Sequence, residues 1–261
     1  MLKEKTVLVT GSTSGIGLGI AESFAKEGSN VIINGFGDRA EIDAIVARLA
    51  ADYNIQSHYN GADMSKPEEI RAMVAEAQEK FGSLDVLINN AGIQHTNPVE
   101  EFSDTKWDAI IAINMSSNFH AIKAALPKMR ENGFGRIINV ASAHGLVASK
   151  HKAAYVAAKH GVVGLTKVVG LEVAEERGVT CNAICPGWVL TPLVQKQIDD
   201  KAKEAGISVE EAQKDLLGEK QPSLQFTTVE QLGGLAIFLC SPAADNITGA
   251  AYNVDGGWLA Q

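Results

Sequence analysis

The chain has 261 residues, 46% of them hydrophobic, enough to bury one large core at the upper edge of single-domain size. A formal charge of -8 gives no general attraction to phosphate backbones or anionic lipid, so no nucleic-acid or membrane partner is expected. The opening "MLKEKTVLVTG" lacks a signal-peptide apolar region, and no window approaches the ~20 apolar residues of a membrane span, so the expected location is a reducing compartment, most simply the cytoplasm.

Short β-rich runs alternate with longer helical patterns along the chain. The first run, "TVLVT", leads into "TGSTSGIGLGIAESFAKEG", in which Gly11, Gly15 and Gly17 precede an amphipathic helix. This G-x-x-x-G-x-G spacing supplies a tight turn, close backbone approach and a helix N-terminus whose free N–H groups favour a pyrophosphate. A glycine-rich turn between a first strand and a helix therefore predicts dinucleotide binding by residues 11–17, with Thr13, Ser14 and Ile16 in the same loop.

The second run, "NVIING", ends in "FGDRAEID". An acid here would bind a ribose 2′-hydroxyl and a base a 2′-phosphate. Phe36 instead offers an apolar wall, Asp38 comes late, and Arg39 is available to a phosphate; NAD is favoured over NADP. After the third run, "SHYNGAD", Asp63 either meets an adenine amino group or only caps the following helix. "LDVLINN" and "GRIINVAS" are the fourth and fifth strands, their near-continuous apolar character fitting burial on both faces. The sixth, "GVTCNAICP", carries Cys181 and Cys185; a four-residue separation on a strand is roughly 13 Å, too far for a disulfide, so reduced buried thiols are expected. A charged segment follows, residues 190–222, read as a helical lid over a substrate or else a solvated surface hairpin, and "AAYNVDG" is the seventh strand. The whole predicts a single α/β domain over residues 1–261, a Rossmann-type doubly wound parallel sheet of seven strands with helices on both faces.

"TGSTSGIG", "NNAGIQ", "NMSSNF" around Asn114, "NVASAHG", "YVAAK" and "PGWVLTP", in this order, resemble the short-chain dehydrogenase/reductase family over essentially the whole chain. Tyr155 and Lys159 stand four apart, on one face of a helix. A tyrosine titrates near pH ~10; working near ~7 requires roughly 4 kcal/mol of preferential phenolate stabilisation, which a neighbouring ammonium helps supply. Tyr155 is thus the expected general base toward an alcohol and acid toward a ketone, with Ser142 bonding the same oxygen. The resemblance further implies that Lys159 reaches the cofactor ribose, that Asn114 holds a relay water, and that Thr191 holds the nicotinamide carboxamide. It also implies that Pro186 and Gly187 support the nicotinamide, with Asn90, Gly92 and Val189 in the same cofactor site.

The remaining polar groups near these motifs point to the substrate. His144 and Lys152 flank the catalytic residues, and a cation with hydrogen-bond donors suits a small carboxylate. With Gln94, Gln197, Trp188 and Trp258 they resemble family members that oxidise D-3-hydroxybutyrate to acetoacetate. The helix beginning "AAYVAAKHGVVGLTKVVG" is apolar around most of its circumference, so a second subunit is expected on its outer face, and the resemblance implies a homotetramer. Another short-chain reductase acting on 3-oxoacyl thioesters or other small alcohols, and a non-catalytic NAD(H)-sensing module, are the alternatives. The six histidines show no close ligand pattern, and no metal is expected.

Overall fold

The computed structural model describes residues 2–176 and 178–260. In chain order the elements are β1 (Thr6–Val9), α1 (Gly15–Lys26), β2 (Asn30–Asn34), α2 (Arg39–Tyr53), β3 (Ser57–Asn60), α3 (Pro67–Phe81) and β4 (Val86–Asn89). There follow α4 (Asp104–Ile111), α5 (Ser117–Asn132), β5 (Gly135–Val140), α6 (Ala153–Glu172), β6 (Val179–Pro186), α7 (Pro192–Ala205), α8 (Val209–Gly218), α9 (Val229–Leu239) and β7 (Ala251–Val254).

The strands form one parallel sheet in the order β3-β2-β1-β4-β5-β6-β7. Successive strand residues face opposite layers. Val7, Val9, Val31, Ile33 and Ile88 pack on one side with Ile20 and Phe24 of α1 and Leu232 and Leu239 of α9. Leu8, Ile32, Leu87 and Ile137 pack on the other with Ile70 and Val74 of α3 and Ala121 and Met129 of α5. Burial of β1, β4, β5 and β6 on both faces accounts for the unbroken apolar runs that replace period-two alternation.

The chain runs outward from β1 to β3, then returns to β4 on the other side of β1. This reversal opens a crevice at the carboxyl ends of β1 and β4, where doubly wound sheets bind ligands. Residues 192–218 form a helical hairpin whose Val194, Ile198, Ala202 and Ala212 make a small core of their own, joined by Trp188 and Phe226. Cys181, Cys185 and Cys240 are free and buried. Along the outer side of α6, Ala157, Gly164, Val168 and Leu171 stay exposed, next in sequence to residues committed to the core. Among the described residues no helix is long and apolar enough to cross a membrane.

Candidate active site

The crevice is a cavity of about 510 Å³ lined by the turns that follow β1, β2, β4, β5 and β6 and by the start of α6. Its floor is the glycine-rich turn. Gly11 has φ +61, and a Cβ there would lie 2.8 Å from the Ala91 Cα; a Cβ on Gly17 would meet the Gly11 carbonyl and lie 2.5 Å from the Asn90 amide nitrogen. The absent side chains thus permit contact between the β1 and β4 turns. Asn90 Nδ2 donates to the carbonyls of Thr10 and Gly11, both at 2.9 Å, while Asn34 accepts from Gly11 N–H and donates to Asn60 and Ala62 carbonyls.

Ser14 stands at the N-cap of α1 with no side-chain capping bond, and the first turn carries no acid. The leading N–H groups of α1 are thereby left to the cavity, a cradle that suits a dinucleotide pyrophosphate. Thr13 donates to the Phe36 carbonyl, and Phe36, 68% exposed, forms the wall at the end of β2. Asp63 lines the cavity while its Oδ1 accepts from the main chain and hydroxyl of Ser65, which holds its carboxyl below the usual range; it closes the turn ahead of α3, whose N-cap is Lys66. Asp38 caps α2, and Arg39 is paired with Asp43 over the Tyr59 ring rather than turned to the cavity.

At the far end Ser142, Tyr155 and Lys159 converge. Ser142 closes β5, its Oγ accepting from the His144 N–H at 3.1 Å, and its hydroxyl opposes the upward push that burial exerts on the Tyr155 phenol. Lys159 is buried one helical turn on, its Nζ 2.7 Å from the Val140 carbonyl and 5.7 Å from the Tyr155 ring centre. Burial lowers its pKa to about 8. A buried phenol beside a hydroxyl and a buried amine is a proton-transfer arrangement for a hydroxyl or carbonyl carbon.

Around this centre the rings of His144 and Trp258 meet edge-on at 5.1 Å, and Trp188 stacks on Trp258 at 6.4 Å. His144 Nε2 is 2.9 Å from Ser149 Oγ; burial first, and Lys152 second, depress its pKa to about 4, so the imidazole is neutral. The Lys152 ammonium lies 5.5 Å from the Trp188 ring centre, its pKa lowered by burial and then by Lys220. Gln94 lines the mouth, as do Gly92, Pro186, Gly187, Val189 and Thr191; Thr191 also accepts from the Val194 N–H at 3.4 Å as the N-cap of α7.

Two expected residues stand apart from the cavity lining. Gln197 is exposed on α7, outside the lining, because the buried side of that helix belongs to Val194 and Ile198. Asn114 is fully buried in a π-helical turn, residues 112–116, and its amide is bound at both ends to Ile93: Oδ1 accepts from Ile93 N–H at 2.8 Å and Nδ2 donates to Ile93 O at 2.9 Å. Its side chain fixes the path from β4 to Gln94. Sequence reasoning missed Asn34, marked by a polar residue ending an apolar strand, and Gln221, which carries no local signal. The buried Gln221 Oε1 accepts from the Trp188 N–H at 2.9 Å and ties the end of the insert to the indole wall of the cavity.

The family model for short chain dehydrogenases matches residues 5–202. A D-beta-hydroxybutyrate dehydrogenase of Cupriavidus necator is 60% identical over 262 residues, covering 100% of both chains. One from Rhizobium meliloti is 52% identical, covering 98% of this chain and 99% of its own. Among solved structures, L-sorbose reductase from Gluconobacter frateurii complexed with NADPH and L-sorbose superposes with a TM-score of 0.94 at 30% identity, over 100% of this chain and 98% of that one. Actinorhodin polyketide ketoreductase with NADPH gives 0.90 at 35% identity, over 98% and 97%.

Proposed function

The chain belongs to the short-chain dehydrogenase family, and we propose that it oxidises D-3-hydroxybutyrate to acetoacetate, reversibly, with NAD as the hydride acceptor. The observation that carries the substrate reading is the placement of Lys152, neutral His144 and two tryptophans in one cavity with Ser142 and Tyr155, His144 meeting the Tyr155 ring. A cation and hydrogen-bonding groups hold the carboxylate, and the indoles wall the short carbon chain.

Pro186, Gly187, Val189 and Thr191 would hold a nicotinamide, which would supply the hydride acceptor for the carbinol carbon. The protein manages the proton. Tyr155, as phenolate, removes the hydroxyl proton, while Ser142 donates to the same oxygen and fixes its position. Burial alone disfavours the phenolate, so the Lys159 ammonium supplies the compensating positive charge. In the reverse direction Tyr155 returns the proton to the forming alkoxide.

NAD is favoured over NADP because the end of β2 presents Phe36, and Arg39 is engaged by Asp43. The segment 190–222 is a lid, hinged at the Thr191 cap, whose closure brings Gln197 toward the carboxylate. Val168 and Leu171 on α6, Phe119 on α5 and Trp107 on α4 are exposed apolar side chains that a second copy of the chain would cover, and a cytoplasmic homotetramer is the proposed assembly. A sedimentation experiment at micromolar protein that gives a monomer contradicts this.

Lys152→Ala tests the substrate assignment. Removing a charge that binds ground state and transition state alike raises KM for 3-hydroxybutyrate roughly tenfold or more with little change in kcat. A wild-type KM in that variant removes Lys152 from the carboxylate site.

A further inference from the structure

The two stacked indoles of the cavity come from turns far apart in the chain. Trp188 follows Gly187 at the end of β6, and Trp258 follows Gly256 and Gly257 after β7, so their spacing is set by whatever joins those turns. Gln221 lies between them. A Cβ on Gly187 would stand 2.5 Å from Gln221 Oε1 and 2.9 Å from the Asp255 Cα, and a Cβ on Gly256, at φ +58, would stand 2.7 Å from Gln221 Cγ. One side chain is therefore packed against both turns. It is 1% exposed and bonded to main chain at each end of its amide: Oε1 accepts from the Trp188 N–H at 2.9 Å, and Nε2 donates to the Gln225 carbonyl. Its own N–H donates to the Leu217 carbonyl at 2.7 Å, at the end of α8, and the Ser223 N–H donates to the Gly256 carbonyl at 3.0 Å. Asp255, 7% exposed, accepts from the N–H groups of Gly257 and Leu259, both at 3.1 Å, and so stiffens the turn that carries Trp258.

A buried amide is costly unless both of its ends are bonded, and this one stands behind the cavity lining, where its bonds act on the wall alone. The wall in turn touches the reacting end, for Trp258 meets His144 edge-on and His144 meets the Tyr155 ring at 5.9 Å. A hydroxy acid with a longer carbon chain requires the indoles to move outward, and an amide locked between the two turns resists that movement. We propose that Gln221 is a positioning residue that sets the spacing of the Trp188–Trp258 wall and thereby limits the length of the carbon chain the cavity admits. The inference rests on the reading of this cavity as a site for a short hydroxy acid and deepens it.

The test compares kcat/KM for D-3-hydroxybutyrate with that for D-3-hydroxyhexanoate in the wild type, Gln221→Met, Gln221→Glu and Gly256→Ala. Gln221→Met keeps the bulk of the side chain and removes both amide bonds; it should lower the short-to-long ratio by about tenfold, the change being carried by KM. Gln221→Glu keeps an oxygen for the Trp188 N–H and should recover most of the ratio. An equal fall for both acids in Gln221→Met, or a Gln221→Glu variant no better than Gln221→Met, makes Gln221 a general structural residue and overturns the proposal. Should Gln221→Met not fold, Gly256→Ala decides, because its added Cβ presses the second turn away from Gln221. A lowered ratio in that variant supports the proposal, and the wild-type ratio overturns it. A wild-type protein that oxidises neither acid refutes the substrate reading, and the proposal falls with it; one that oxidises 3-hydroxybutyrate leaves that reading standing whatever the variants do.

Discussion

His144 makes the protein's stability depend on acid in a calculable way. The ring is only 5% exposed, packed edge-on against Tyr155 and Trp258, and burial followed by the charge of Lys152 brings its pKa to about 4 from 6.5. Between these two values the unfolded chain binds a proton that the folded chain refuses. Stability is therefore fully present above the unfolded value and declines as pH falls through the window toward the folded one. At about 1.4 kcal/mol per pH unit the full loss is about 3 kcal/mol, of which about 2 kcal/mol is reached near pH 5. Urea unfolding at fixed protein concentration, near pH 7.5 and near pH 5, reads this directly in the wild type and in His144→Gln, which cannot titrate. The variant should lose about 2 kcal/mol less on acidification. Equal losses in the two proteins would mean that His144 takes up its proton in the folded protein as readily as in the unfolded chain, and the depression of its pKa by burial would have to be given up.

Tyr155→Phe keeps the ring and removes the acid-base group; turnover should fall by roughly 10³-fold or more while reduced-nicotinamide fluorescence still reports coenzyme binding. Asn90→Ala removes both 2.9 Å bonds to the Thr10 and Gly11 carbonyls, and should lower unfolding free energy by about 1–3 kcal/mol and weaken coenzyme binding roughly tenfold, measured by chemical unfolding and fluorescence titration. Unchanged coenzyme affinity in that variant would separate Asn90 from the nucleotide cradle.

The sheet was legible because four of its strands are buried on both faces and so read as apolar runs bounded by glycine, asparagine or proline. The edge strand β3, "SHYN", is half-exposed throughout, and its place came from the alternation of strands and helices rather than from its own residues. Local spacing conveyed Tyr155 with Lys159 and the glycines of the first turn, since each group acts within a helical turn or a tight loop. Contacts between distant segments were not legible. Nothing near Gln221 announces the Trp188 N–H, and nothing near Asn114 announces Ile93, because both partnerships exist only once the helices are docked. The direction of the Tyr155 pKa was likewise a tertiary matter: the helix spacing suggests activation by Lys159, whereas burial among the surrounding residues pushes the phenol upward.

The most direct test of the central claim follows absorbance at the reduced-nicotinamide band with purified protein, supplying NAD or NADP with D- or L-3-hydroxybutyrate in all four pairings. Reduction confined to NAD with the D isomer is the predicted result. Silence in all four pairings, from protein shown to bind NADH, would contradict the substrate assignment and leave a coenzyme-binding fold with a different alcohol, or none, in its pocket.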